Sequence, residues 1–144
     1  MDLINKCLNH LTWILNATKE QNRLLFQEIK LRMNEKPFIL NKNFQKYFYT
    51  FTIYLKLSSN IEKGYRLLLS GNKINKKSVL SLRNTYLLRA AIQFRESGNY
   101  LKASRSEIDV PSALFASLYG KMKAVSSLLL QLENDMDYLI RNLY

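Results

Sequence analysis

A chain of 144 residues that is 47% hydrophobic and 12% aromatic can bury a core as one domain, which excludes intrinsic disorder. With 22 basic against 11 acidic side chains its net charge is +11, pointing to anionic partners: nucleic acid, an acidic membrane or an acidic protein face. The one cysteine, Cys7, excludes an internal disulfide framework, and no run approaches the ~20 apolar residues that cross a bilayer as a transmembrane segment.

Four Gly and two Pro argue for long regular elements with few tight turns. Asp2 can cap a first helix, since its carboxylate can accept the free amides of the opening turn. Ile4, Leu8, Leu11, Leu15, Leu25 and Ile29 then fall on one helical stripe, with Cys7 and Ile14 beside it. Thr18 and Asn22 interrupt that stripe, as a buried hydrogen-bonded layer, a register device or a wet, splayed stretch. The wet reading is the expectation. Cys7–Leu15 resembles a signal-peptide core, but Asp2 sits where basic residues belong and no small-residue cleavage site follows. A reducing, cytoplasmic location fits better.

The first helix should end near Lys36, because Pro37 disfavours helical geometry in the residue before it. Phe38-Ile39-Leu40 reads as a short apolar link and Asn41-Lys42-Asn43 as turn or cap chemistry. The stretch Lys46–Leu57 has high β propensity, and Thr50 and Thr52 suggest alternation. A strand needs a partner, however, and no second segment has that character. Phe44, Phe48, Phe51, Leu55, Tyr65 and Leu69 keep helical spacing, so a helix is predicted from about Asn43 to Ser70.

Ser70-Gly71-Asn72 is a helix stop. A loop with Lys73, Lys76 and Lys77 leads to Ser78, the expected cap of a third helix. Its stripe is Leu80, Leu87, Ala90, Phe94 and Leu101, and Arg83 and Ser97 share that phase. Ser97-Gly98-Asn99 ends or bends this helix, with a short continuation to Arg105. Asp109 or Ser112 should cap the last helix. There Phe115, Leu118, Met122, Val125, Leu129, Leu132, Met136, Leu139 and Leu143 alternate steps of three and four. The expected fold is all-α: an elongated up-down-up-down antiparallel four-helix bundle spanning 1–144, roughly 40–50 Å long at 1.5 Å per residue. The competing architecture is a pair of long hairpins that dimerise. Trp13, Phe26, Leu31, Leu67 and Leu82 fall off the main stripes and suggest a homo-oligomer.

Catalytic equipment is sparse. His10 lies three residues after Cys7, so the two can share a helical face, but their neighbours are Leu8, Leu11, Trp13 and Ile14. A packed cysteine is the better reading than a thiolate nucleophile. One His and one Cys cannot supply the ligands of a metal site, and no glycine-rich phosphate loop is present, so neither cofactor nor metal is expected. Glu133, Asp135 and Asp137 read as a solvated acidic end.

The constellation with a mechanism is basic. Between Lys36 and Arg105 there are fourteen basic side chains against two acids, Glu62 and Glu96, a net +12. Such density neutralises phosphates and releases counterions without reading sequence. The predicted contacts are Lys63, Arg66, Lys73, Lys76, Lys77, Arg83, Arg89, Arg95, Lys102 and Arg105. Arg83, on the core phase, either reaches out to the bundle end or pairs with an acid of another helix, for which Glu62 is the candidate. Tyr47, Tyr49, Tyr54, Tyr65, Tyr86 and Tyr100 are interleaved with the cations. They stack bases if exposed and are core rings if not. AT-rich codon usage alone also yields a basic composition, in which case the charge only solubilises. The expected function is a non-enzymatic binding subunit that holds RNA or DNA backbone, within a nucleoprotein assembly. The alternative is an interaction module (adaptor, inhibitor, secretion chaperone or scaffold) whose apolar faces recognise a partner while the charge steers an acidic protein surface.

Overall fold

In the computed structural model, which describes residues 2–143, every regular element is helical. Helix α1 spans Asp2–Met33, with Asp2 in its first turn; it buries Leu11, Leu15, Leu25 and Ile29 of the stripe with Cys7 and Ile14 beside them, while Ile4 and Leu8 are half-buried. It stops three residues short of the expected Lys36. Turn hydrogen bonds from Asn34 N to Leu31 O and from Glu35 N to Arg32 O close it, at 3.2 and 2.9 Å. Pro37 then sits in the opening turn of a short helix, α2 (Lys36–Ile39), where its missing amide costs nothing. The expected apolar link is therefore largely helical. Its Phe38 is fully buried against Phe44 and Phe115, at centroid distances of 4.7 and 5.8 Å.

Helix α3 (Lys42–Ser70) contains the whole ambiguous segment. Asn41 caps it by accepting from Phe44 N at 2.9 Å. Thr50, the strongest hint of a strand, satisfies its hydroxyl within the helix by donating to Lys46 O at 2.8 Å. The buried face is rotated from the predicted one. Tyr47 and Tyr54 are wholly buried with Phe44 and Phe51, while Phe48 and Leu55 are only half-buried and Leu69 is exposed. Tyr54 meets Phe94 edge-on at 4.8 Å, and this burial of rings outweighs β propensity. At the end of α3, Gly71 N bonds Leu67 O, and it is Asn72, at φ 52, that takes the left-handed conformation.

The next helix begins earlier than Ser78. Asn75 caps α4 (Lys76–Leu82) in a reciprocal box with Ser78, so Lys76 and Lys77 are helical. A π-helical turn, Arg83–Leu87, carries α4 into α5 (Leu88–Arg105). Buried positions run Val79, Leu82, Leu87, Ala90, Phe94, Ser97, Leu101 and Ser104. The step of five between Leu82 and Leu87 is the residue that the π turn accommodates. It draws Val79 and Leu82 into the core and leaves Leu80 half-buried. The helix runs unbroken through Ser97-Gly98-Asn99; Ser97 is buried and donates to Phe94 O at 2.6 Å.

Helix α6 (Ser112–Asn142) buries every seam residue from Phe115 to Leu139, with Ile140 beside them. Neither expected cap acts: Pro111 holds the cap position and no side chain bonds the first turn. Packing is heaviest between α3 and α5 and between α1 and α6, and sparse between α5 and α6. Between α1 and α3, Tyr65 donates to Leu8 O at 2.8 Å near one end, and Tyr54 reaches Asn22 farther along. Between α1 and α6, Cys7 meets Asp135, and Glu28 accepts from Ser117 at 3.2 Å.

The polar interruption of α1 is not wet. Tyr54 donates to Asn22 Oδ1 at 2.8 Å, Asn22 Nδ2 donates to Ser58 Oγ at 3.0 Å, and Thr18 donates to Ile14 O at 2.8 Å. The layer closes because each group finds a partner across or along the helices, which removes the cost of burying it.

Candidate nucleic-acid interface

The ten predicted cations lie on three successive pieces of chain. Lys63 and Arg66 occupy the end of α3, Lys73 the link, and Lys76 and Lys77 the first turn of α4. Arg83 opens the π turn, and Arg89, Arg95, Lys102 and Arg105 follow along α5. Lys63, Lys73, Lys76, Lys77, Arg89, Arg95, Lys102 and Arg105 are exposed, and none has an ion-pair partner among the described residues.

The other two are engaged. Arg66 is exposed but holds Glu62 at 3.1 Å and Asn16 Oδ1 at 2.6 Å. Glu62 also takes Lys19, at 3.3 Å, so the acid proposed for Arg83 is already used by others. Arg83 instead turns to α6. Its side chain, 23% exposed, lies 2.5 Å from Asp137 and 3.7 Å from Glu133. The approach of Nε to Asp137 is off-line for a hydrogen bond, so it acts as a charge contact. The acidic end of α6 is thus not simply solvated: Asp137 and Glu133 neutralise Arg83, and Asp135 accepts from His10.

The free cations form two groups. One surrounds the α3–α4 link, with Lys63, Lys73, Lys76 and Lys77. The second borders α6, where Arg95 and Lys102 share a groove with Lys123. Arg105 flanks an adjoining depression beside Tyr119, while Arg89 stands apart on α5. Charge counting along the chain misses Lys123, because it lies beyond the basic stretch that ends at Arg105. Its heptad offset from the α6 seam, one position after Met122, was the available signal.

Most interleaved tyrosines are structural. Tyr47, Tyr54 and Tyr65 are buried, and burial pushes all three hydroxyls above their ordinary range. Tyr86 and Tyr100 pack half-buried against the core, the latter under Lys46 Nζ at 5.6 Å. Of the six, Tyr49 is exposed, at 66%. A phosphate backbone can be gripped here; a run of stacked bases has no aromatic platform on α3 or α5.

Cys7 and His10 each turn to Asp135 and not to one another. Burial, and secondarily the charge of Asp135, push the Cys7 thiol up to about 11, and its S–H points to Asp135 O at 3.4 Å. His10 bonds the Asp135 carboxylate and stacks on Trp13 at 6.0 Å. Among the described residues no three His, Cys, Asp or Glu side chains converge, and no helix is long and apolar enough to cross a membrane. No family model, curated protein or solved structure matches the chain.

Proposed function

We propose that this chain is a non-enzymatic, cytoplasmic binding subunit that holds the sugar-phosphate backbone of RNA or DNA inside a nucleoprotein assembly. The observation that carries this reading is the state of its cations. Eight exposed Lys and Arg side chains from Lys63 to Arg105 have no ion-pair partner among the described residues, which leaves their charge for something outside the fold. Desolvated, paired charge would be structural; exposed and unpaired charge in this density neutralises phosphate. The burial of Tyr47, Tyr54 and Tyr65 favours contact with backbone over bases, hence tolerance of sequence.

The scaffold that presents them is an elongated up-down-up-down four-helix bundle in this reading, with α4 and α5 acting as one helix. The cross-helix contacts support it: Leu8 with Tyr65, Lys46 with Tyr100 and Glu28 with Ser117 each join a residue near the start of one helix to one near the end of a neighbour. The non-enzymatic part of the reading is supported by Cys7, whose thiol is kept protonated at neutral pH by burial.

The test is a salt titration of binding to labelled single-stranded RNA, with duplex DNA as comparator. Affinity should fall steeply with log[salt], by about 0.7 per neutralised phosphate for the single strand and 0.9 for the duplex. Lys73→Glu, Lys76→Glu and Lys77→Glu together should weaken both. Affinity unchanged by that triple variant, or no binding at low salt, overturns the reading.

A further inference from the structure

The groove between α5 and α6 is a thinly packed seam that encloses about 620 Å³. It runs from Leu87 and Glu133 at one end to Lys102 and Tyr119 at the other. From Leu87, the last residue of the π turn, to Lys102 on α5 is fifteen residue steps, about 22 Å at 1.5 Å per residue, or four turns of helix. Its floor is apolar, built by Phe94, Met122 and Leu129. Leu130 also lines it and remains 59% exposed, a large aliphatic side chain left in water. Its borders carry Arg95, Lys102 and Lys123, none of them ion-paired among the described residues, against one acid, Glu133, which is turned to Arg83.

We infer that this groove docks an amphipathic acidic helix of another protein. Length, floor and charge each select that occupant. A trough four turns long matches a helix laid in it, whereas a compact ligand would leave most of it wet. The floor takes an apolar stripe spaced i, i+3, i+7. Arg95 and Lys102 are seven residues apart, two turns or about 10.5 Å, so the partner presents acids at i and i+7 along one flank. A second copy of the chain is disfavoured because it would bring a further +11 to a cationic border. Nucleic acid would satisfy the cations but has no use for the floor. Arg95 and Lys102 also stand among the cations assigned to phosphate above, whereas the apolar floor serves only a protein partner and the Lys73–Lys77 cluster lies outside the groove, so variants of the floor and of that cluster separate the two readings.

The probe is a fluorescein-labelled 15-residue helical peptide with leucines at i, i+3 and i+7 and glutamates on both flanks, followed by anisotropy against the full chain. Its controls are a scramble of the same composition and a single-stranded RNA of equal charge. The peptide should bind, with the scramble weaker by at least about tenfold. Ser126→Trp fills the groove and Leu130→Glu reverses its apolar edge; both positions are exposed, so both variants should keep the parent melting temperature. Each should weaken the peptide by about tenfold, as should the Arg95→Glu, Lys102→Glu double variant, while the Lys73→Glu, Lys76→Glu, Lys77→Glu variant leaves it within about twofold. The inference is overturned if the scramble binds equally, or if Ser126→Trp and Leu130→Glu leave peptide binding intact. It is also overturned if those two variants abolish RNA binding and the peptide does not bind, since the groove then belongs to nucleic acid.

Discussion

The hydroxyl of Tyr54 donates to the side-chain carbonyl of Asn22 at 2.8 Å, joining α3 to α1 inside the core. Both residues are buried, and Asn22 passes the bond on to Ser58 at 3.0 Å. Removing one partner strands the other. Tyr54→Phe leaves Asn22 Oδ1 without a donor and should cost about 1–3 kcal/mol, read from urea unfolding. Asn22→Leu should cost a similar amount. The double variant should recover part of the loss, because two apolar groups leave only Ser58 to find water. Strict additivity of the two losses would mean that the bond does not organise the layer.

Ion pairing divides the cations into two kinds, and binding should follow the division. Arg83, held by Asp137 and Glu133, is a structural residue in this reading. Arg83→Gln should lower stability by about 1 kcal/mol or less, given the partial exposure of all three groups, and leave RNA affinity nearly unchanged. Arg89→Gln should do the reverse, leaving stability alone and reducing the salt slope by nearly one phosphate. Equal effects of the two on RNA affinity would dissolve the distinction.

Spacing made much of this fold legible. The α6 seam from Phe115 to Leu139 needed only its steps of three and four, and the α1 stripe only its recurrence. The face of α3 was misjudged because Phe48 and Leu55 outrank Tyr47 and Tyr54 in hydropathy. What admits a tyrosine to the core is a distant partner: Asn22 for Tyr54 lies 32 residues away. The same limit applies to the site. Exposure of Lys73, Lys76 and Lys77 follows from the local pattern, but the matching of Arg83 by α6 depends on which helix ends meet. Lys123 joins the groove for that reason too, since proximity of α5 and α6 is a property of packing and not of either sequence.

The π turn yields a sharper test of phase. Buried Leu82 and Leu87 are five apart, and deleting exposed Thr85 between them restores the step of four of a regular helix. The deletion should preserve cooperative melting, with a midpoint shift of a few degrees corresponding to about 1 kcal/mol. Deleting exposed Glu96 in α5 turns the step from Phe94 to Ser97 from three to two, rotating everything beyond it by about 100°. That variant should lose cooperative unfolding by calorimetry. If both deletions behave alike, the π turn is not what sets the phase of the stripe.

Cys7 links stability to alkaline pH. Burial raises its thiol from the ordinary 9.0 to about 11, so the folded chain keeps a proton that the unfolded chain releases. Between those values the unfolded state binds fewer protons, and the slope of unfolding free energy against pH is negative. The thiol's contribution is therefore present in full below pH 9 and lost as pH climbs to about 11. Two units correspond to at most about 2.7 kcal/mol. Raised hydroxyls of Tyr47, Tyr54, Tyr65 and Tyr119 slope the same way, so the informative quantity is a difference. Urea midpoints of the parent chain and of Cys7→Val should diverge least below pH 8.5 and draw apart toward pH 10.5, with the variant losing less. Parallel profiles would place the thiol in contact with solvent, and the folded chain would then react with iodoacetamide at pH 8 as readily as the unfolded one.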